Sequence, residues 1–284
     1  MARTARISPD EIAASLAELP PLPTSISEVI AACDDQDMSV GQLSQIILRD
    51  QNLTANILKL SNSAFYGHAR TVTTITEAVV LLGFSAIKSL AISSHTARLL
   101  NRPLPGYGLE SGDLWKHSLA SAFCARRLAV EVHLAPVEQA FVAGLLHDIG
   151  KLVLATHMAD VFEEMGAEAR ERRVPFHLVE AEVLGFDHAE LGARVAAQWS
   201  FPPELEESIR FHHDPDQATL KPKLAHVVHL ADVMCMTFGV GLGIDGLAYE
   251  AHPTTIEVLG LDRDGVLRLA DELGPMFESD AFAA

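Results

Sequence analysis

The chain reads as all-α, a helical bundle at the N-terminus packed on a second helical domain. Three observations predict this. Helix-start signals recur along its 284 residues, apolar residues repeat at helical spacing, and strand-like alternation around tight turns is nearly absent. Asp245-Gly246 and Asp264-Gly265 lack the flanking alternation that a hairpin requires.

The elements follow in order. Ser8-Pro9-Asp10-Glu11 places a cap serine before a first-turn proline and a capping-box glutamate. Ser39 to Gln42, Thr74 to Glu77 and Asp187 to Glu190 repeat the cap spacing. Leu43, Ile46 and Ile47, then Leu53, Ile57, Leu58 and Leu60, supply amphipathic stripes. The proline- and glycine-rich stretch 101–112 predicts the boundary, dividing the chain into residues 1–104 and residues 105–284. The second part carries a C-terminal extension of mixed helix and loop from about Gly239, expected to pack on that same half.

Composition excludes several classes. A net charge of −17 opposes broad DNA or RNA binding, which depends on Lys and Arg neutralising phosphates. Cys33, Cys124 and Cys235 are widely spaced and odd in number, so no disulfide framework is predicted. The N-terminus lacks the apolar core of a signal peptide, and the most apolar segments carry His, Asp or Lys inside them. The expectation is a cytoplasmic protein without a membrane span.

The chemistry concentrates after the boundary, where eleven of the 13 histidines lie. The run from Phe141 to Ala155 reads as a helix apolar on nearly all sides, broken by His147, Asp148 and Lys151. A buried ionised aspartate is costly unless compensated, and an imidazole beside a carboxylate suits a divalent metal. Asp113 and His117 share one helical face, His188 opens the helix capped by Asp187, and His212-His213 form a doublet. Asp232 sits inside the apolar helix that follows. Any one of these histidines is more often a surface or hydrogen-bonded core residue than a ligand. The ordered set, with charged members inside apolar helices, favours ligation for His117, His147, Asp148 and Asp232. Asp113 suits two roles equally, a cap after Ser111-Gly112 or a carboxylate ligand. His226 and His229 read as supports or core, and His68, His95, His133, His157, His177 and His252 as surface residues. Cys124 and Cys235 read as small buried hydrophobes near the cluster.

The order His117, His147-Asp148, His188, His212-His213, Asp232 resembles the HD superfamily of metal-dependent phosphohydrolases. The wider set is similar to HD-GYP phosphodiesterases. That resemblance implies that Asp148 bridges two metals, with His188, His212 and His213 serving the second. Lys151 completes a His-Asp-x-x-Lys form and could contact a phosphate. HD-GYP enzymes follow their His doublet with an acidic residue and then Gly-Tyr-Pro. Here His212-His213 is followed by Asp214-Pro-Asp-Gln-Ala without Gly-Tyr-Pro, which removes the main reason to expect cyclic-di-GMP hydrolysis.

The first half carries a second resemblance. Leu19-Pro-Pro-Leu-Pro23, residues 43–50, Leu58-Lys-Leu-Ser-Asn-Ser-Ala-Phe-Tyr-Gly67 and residues 75–83 look like the HDOD family of bacterial signalling output domains. This implies a signal-transducing module whose N-terminal bundle contacts partner proteins, with one or two divalent metals in the other half. Iron or manganese is favoured by the resemblance, while zinc and nickel suit the ligand types equally. The competing expectation is a phosphohydrolase acting on a nucleotide or cyclic dinucleotide. In it, the metal pair would lower the pKa of a water to make a nucleophile. Asn62, Phe65 and Tyr66 suit either packing between the halves or partner binding.

Overall fold

A computed structural model describes residues 16, 19–66, 70–157, 159–244 and 250–277. Fourteen α-helices run through the described residues, and no strand occurs among them beyond an isolated bridge between Leu104 and Leu109. The all-α expectation is met. The cap at Ser8 to Glu11 and the Asp245-Gly246 pair lie outside the described residues.

Four helices form the first half: α1 (Thr24–Asp34), α2 (Val40–Leu48), α3 (Gln51–Ser61) and α4 (Ile75–Leu100). Ser39 and Gln42 make a reciprocal capping box at α2, and Thr74 Oγ1 accepts from Glu77 N at 3.1 Å at α4. Asp50 caps α3, its Oδ1 accepting from Asn52 N and Leu53 N at 3.0 Å each. Its other oxygen takes the Ser25 hydroxyl at 2.9 Å, tying α3 to α1. Helix α4 is kinked at Gly83, whose φ of 81° and ψ of 166° are non-helical and suit a residue without Cβ. Past the kink, the same element serves two cores. Ile75, Ala78, Val79, Ile87, Leu90 and Ala91 join the apolar cluster of the first half, while Ile92, Leu99 and Leu100 join the larger one. By length and composition α4 could cross a membrane, with mean hydropathy 1.7 over its richest window, half of it buried.

Asn101 to Gly112 connect the halves through a 3-10 turn, Pro105–Tyr107. The apolar clusters therefore divide inside α4, about ten residues before the connecting loop. Ten helices follow: α5 (Asp113–Glu131), α6 (Val137–Leu146), α7 (Gly150–His157), α8 (Ala159–Arg172), α9 (Phe176–Leu184), α10 (His188–Gln198), α11 (Pro203–Arg210), α12 (Pro222–Thr237), α13 (Thr255–Leu259) and α14 (Arg263–Phe277). Helix α5 packs on α6 and α12, and α10 packs on α7 and α11. Asp264-Gly265 falls in the first turn of α14, whose Leu269, Leu273 and Phe277 enter the larger cluster.

Phe65 and Tyr66 hold the halves together. Phe65 stacks on Phe123 of α5 at 3.8 Å between centroids, and Tyr66 meets the same ring edge-on at 5.8 Å. Asn62 pins the chain that follows, its side chain accepting from Val72 N at 2.7 Å and donating to Val72 O at 2.8 Å.

Candidate metal centre

The 141–155 stretch is two helices rather than one. His147, Asp148 and Ile149 form the turn between α6 and α7, where the His147 ring bonds the Gly144 carbonyl through Nδ1 at 2.8 Å. Asp148 O accepts from Lys151 N at 3.0 Å as α7 begins. Glycines allow the close crossings around this turn. A Cβ at Gly150 would collide with the His188 carbonyl of α10, and one at Gly144 would come within 2.7 Å of the Ser121 carbonyl of α5. The turn is thereby pressed between the two helices that carry His117 and His188.

Five segments deliver side chains to one buried point. His117 Nε2 lies 3.0 Å from Asp232 Oδ1, 3.3 Å from His147 Nε2 and 3.6 Å from Asp148 Oδ2. His147 Nε2 is 3.4 Å from Asp148 Oδ2 and 3.6 Å from Asp232 Oδ1. On the other side of Asp148, Oδ1 is 3.2 Å from His188 Nε2 and 4.0 Å from His212 Nε2. His213 Nε2 is 2.9 Å from His188 Nε2. His117, His147, Asp148, His188, His212 and Asp232 are all at most 2% exposed, and His213 is half-buried. His117 and His147 thus approach one oxygen of Asp148, and His188 and His212 the other. Asp232 joins through His117 and His147, His213 through His188, and His212 also converges with His147 and Asp232.

The outward ring nitrogens are held. His117 Nδ1 bonds Val240 O at 3.0 Å, His147 Nδ1 bonds Gly144 O, and His212 Nδ1 bonds Ile209 O at 2.7 Å. His188 Nδ1 bonds Glu180 Oε2 at 2.7 Å. A carbonyl can only accept, so each of those rings keeps its proton at Nδ1 and turns Nε2 inward. Neutral imidazoles at 117 and 147 would set two lone pairs 3.3 Å apart, an arrangement that calls for a cation. His212 Nε2 and Asp232 Oδ1 are buried without a hydrogen bond; the short contact of Asp232 to His117 is not aligned for one. These orphaned atoms, with imidazole and carboxylate donors, fit one or two divalent ions.

Charge in the cluster is polarised. Burial alone would lower the pKa of His147 and His188, but Asp148 acting on the first and Glu180 on the second outweigh it and raise both to about 10. His117 is raised as well, burial being outweighed by Asp232. Burial opposes ionisation of Asp148 and Asp232, yet His147 and Lys151 hold the first, and His117 and His147 the second, well below the carboxylate range. Burial, followed by neighbouring imidazoles, keeps His212 and His213 neutral. Lys151, 3% exposed, donates to Asp148 Oδ2 at 2.7 Å.

Asp113 stands apart from the three converging groups found among the described residues. It is the first residue of α5 behind the cap Gly112, and its carboxylate accepts from Glu110 N at 2.8 Å. His229 supports the doublet, bonding His212 O through Nδ1 at 2.7 Å and accepting His252 N through Nε2 at the same distance. His226 is buried against Thr255 and Asp216. Surface placement fails for three histidines. His95 is buried edge-on to Trp199, and His252 is half-buried beside Asp214 and Asp216. His177 stacks on His213 at 3.9 Å, and burial followed by His188 lowers it to about 4. His133 is exposed; His68 and the His157 side chain lie outside the described residues. Cys124 and Cys235 are buried and free, with Cys124 Sγ 3.8 Å from Met234 Sδ.

Sequence reasoning missed Glu180 and Tyr107. Both are fully buried, and Tyr107 donates to Glu180 Oε1 at 2.6 Å. The available signal was Glu180 standing between Val179 and Val183 on an otherwise apolar helix face.

Fold and site together define a helical domain of HD type, preceded by a bundle that shares its longest helix with it. The HDOD domain model matches residues 19–215, and the chain belongs to that family. It is similar to a provisionally named phosphohydrolase from Shewanella amazonensis SB2B, with TM-score 0.74, 27% identity and 96% of each chain covered. An HDOD domain protein of unknown function from Geobacter sulfurreducens shares the fold, with TM-score 0.73, 23% identity, and 97% and 96% coverage of this and that chain. An uncharacterized protein of Treponema pallidum (strain Nichols) is 28% identical over 209 residues, 72% of this chain. The chain spans 40% of that relative's length.

Proposed function

We propose that this protein is a bacterial, cytoplasmic signal-transduction output module whose second half binds divalent metal, iron or manganese first among the candidates. The observation that carries the reading is the convergence of four tethered imidazoles and two carboxylates on one buried point. His117, His147, Asp148 and Asp232 would hold one ion, and Asp148, His188, His212 and His213 a second. Burial favours a structural or sensing role, because a cluster exposed by so little admits an ion more readily than a nucleotide. The first half offers a partner surface, with Leu48, Val80 and Leu81 each about half exposed or more.

A second reading, hydrolysis of a nucleotide or cyclic dinucleotide, is favoured by Lys151 beside Asp148 and by the Shewanella neighbour's name. When bound, the metals would supply Lewis acidity toward a phosphate ester. Within that chemistry Lys151 would contact phosphate while His212 and His213 line the second ion's side.

Elemental analysis, with hydrolysis assays across nucleotides and cyclic dinucleotides, separates the two. We expect stoichiometric metal and no turnover in the wild type, and loss of metal in a His147→Ala/Asp148→Ala variant. Metal-dependent turnover abolished by that variant would establish the hydrolase instead. A wild type without metal sinks both readings.

A further inference from the structure

The loop joining the two halves reaches directly into the centre. Tyr107, in its 3-10 turn, is fully buried, with its ring 4.7 Å from Phe162 and 5.6 Å from Phe176. Gly106 permits this seating, because a Cβ there would lie 2.6 Å from the Phe162 ring. From that seat the Tyr107 hydroxyl donates to Glu180 Oε1 at 2.6 Å, and Lys151 Nζ sits 5.6 Å from the ring centroid. The other Glu180 oxygen accepts twice from His188, from N at 3.0 Å and Nδ1 at 2.7 Å. His188 Nε2 then faces Asp148 Oδ1 and His213 Nε2.

We propose that Glu180 and Tyr107 are positioning residues that hold His188 with its Nε2 toward the second ion, so that the seating of the inter-half loop sets how tightly that ion binds. The proposal rests on the metal reading above. The chemistry is that of a carboxylate–histidine pair. An acceptor at Nδ1 fixes the tautomer, orients the ring and makes Nε2 a better donor. Of the four tethered histidines, His188 is the one held by a side chain rather than by a backbone carbonyl. A carbonyl is fixed by its backbone, whereas a carboxylate can rotate unless something holds it. The Tyr107 hydroxyl and the His188 amide supply that hold. Loop position is thereby linked to one side of the centre, leaving His117 and His147 on their own backbone tethers.

The test titrates the metal-free full chain with Mn²⁺, following heat and bound-metal stoichiometry. It compares wild type with Tyr107→Phe, Glu180→Gln and Glu180→Ala. We expect two ions in the wild type. Glu180→Ala should weaken one of them by roughly 10- to 100-fold and leave the other unchanged. Tyr107→Phe should weaken the same ion by about 10-fold at most. Glu180→Gln, whose amide oxygen can still accept from Nδ1, should recover most of the alanine loss. Equal weakening of both ions, or unchanged affinities in Tyr107→Phe and Glu180→Ala, would overturn the relay while leaving metal binding intact. A wild type holding a single ion also overturns it, and one holding none removes the metal reading itself. Tyr107→Phe and Glu180→Gln preserve shape, so the test survives even if Glu180→Ala fails to fold.

Discussion

Apart from Ser94, which accepts from Asn56, and His95, which packs on Trp199, the two halves bury polar groups in opposite ways. In the first, the buried hydroxyls of Ser44, Ser61, Ser89, Ser93 and Thr96 each donate to the backbone carbonyl four residues earlier on their own helix. In the second, buried His117, His147, Asp148, Lys151, Glu180, His188 and Asp232 find partners on other elements or across turns. A hydroxyl satisfied by its own helix asks nothing of the tertiary structure. A buried ion requires every neighbour to be in place, because an unpaired charge costs several kcal/mol. One half is therefore tolerant packing, and the other is a network that a single change can undo.

Breaking the contrast should give graded effects. Gly150→Ala forces a methyl into the His188 carbonyl and should cost more than about 4 kcal/mol, read as loss of the urea transition and of bound metal. Asp148→Ala strips the carboxylate from a buried ammonium and should cost roughly 3 kcal/mol. Adding Lys151→Met should restore part of that stability in the same denaturation assay but none of the metal. Phe65→Ala opens the seam between halves and should cost about 2 kcal/mol, with earlier proteolysis near the seam and unchanged metal content.

Smaller effects are expected in the first half. Asp50→Ala removes a cap and should cost about 1 kcal/mol at neutral pH. The Leu53 amide, with Ser25 and Asn52, holds Asp50 below the ordinary carboxylate value against burial. Its stabilisation is thus present above the unfolded value of about 3.9 and lost as pH falls through the folded value. The difference between wild type and variant should vanish there in acid titrations of the unfolding midpoint. Ser93→Ala should change stability by less than about 0.5 kcal/mol. A large loss there would erase the contrast between the halves.

Much of this was legible in the residues. The caps at Ser39, Thr74 and Asp187 stand where the spacing placed them, because capping is a local exchange between neighbours. His117, His147, Asp148 and Asp232 could be picked out because charge inside an apolar helix needs an explanation, and here they meet. The break of the 141–155 run at His147 was not legible. It depends on α7 being drawn against α10, which no local pattern records. His177 and His95 were likewise misplaced, since their burial comes from His213 and Trp199, distant in sequence.

The sequence by itself determined the helical class, the family and the ordered set of histidines and aspartates, since periodicity, capping and composition act over a few residues. Only the tertiary structure decided which oxygen of Asp148 faces which histidines, that Asp113 serves its own turn, and that Glu180 and Tyr107 stand behind His188. The first depends on helix crossings at Gly144 and Gly150, and the Tyr107 seat on Gly106 against Phe162, where a difference of one methyl group decides how closely the elements approach.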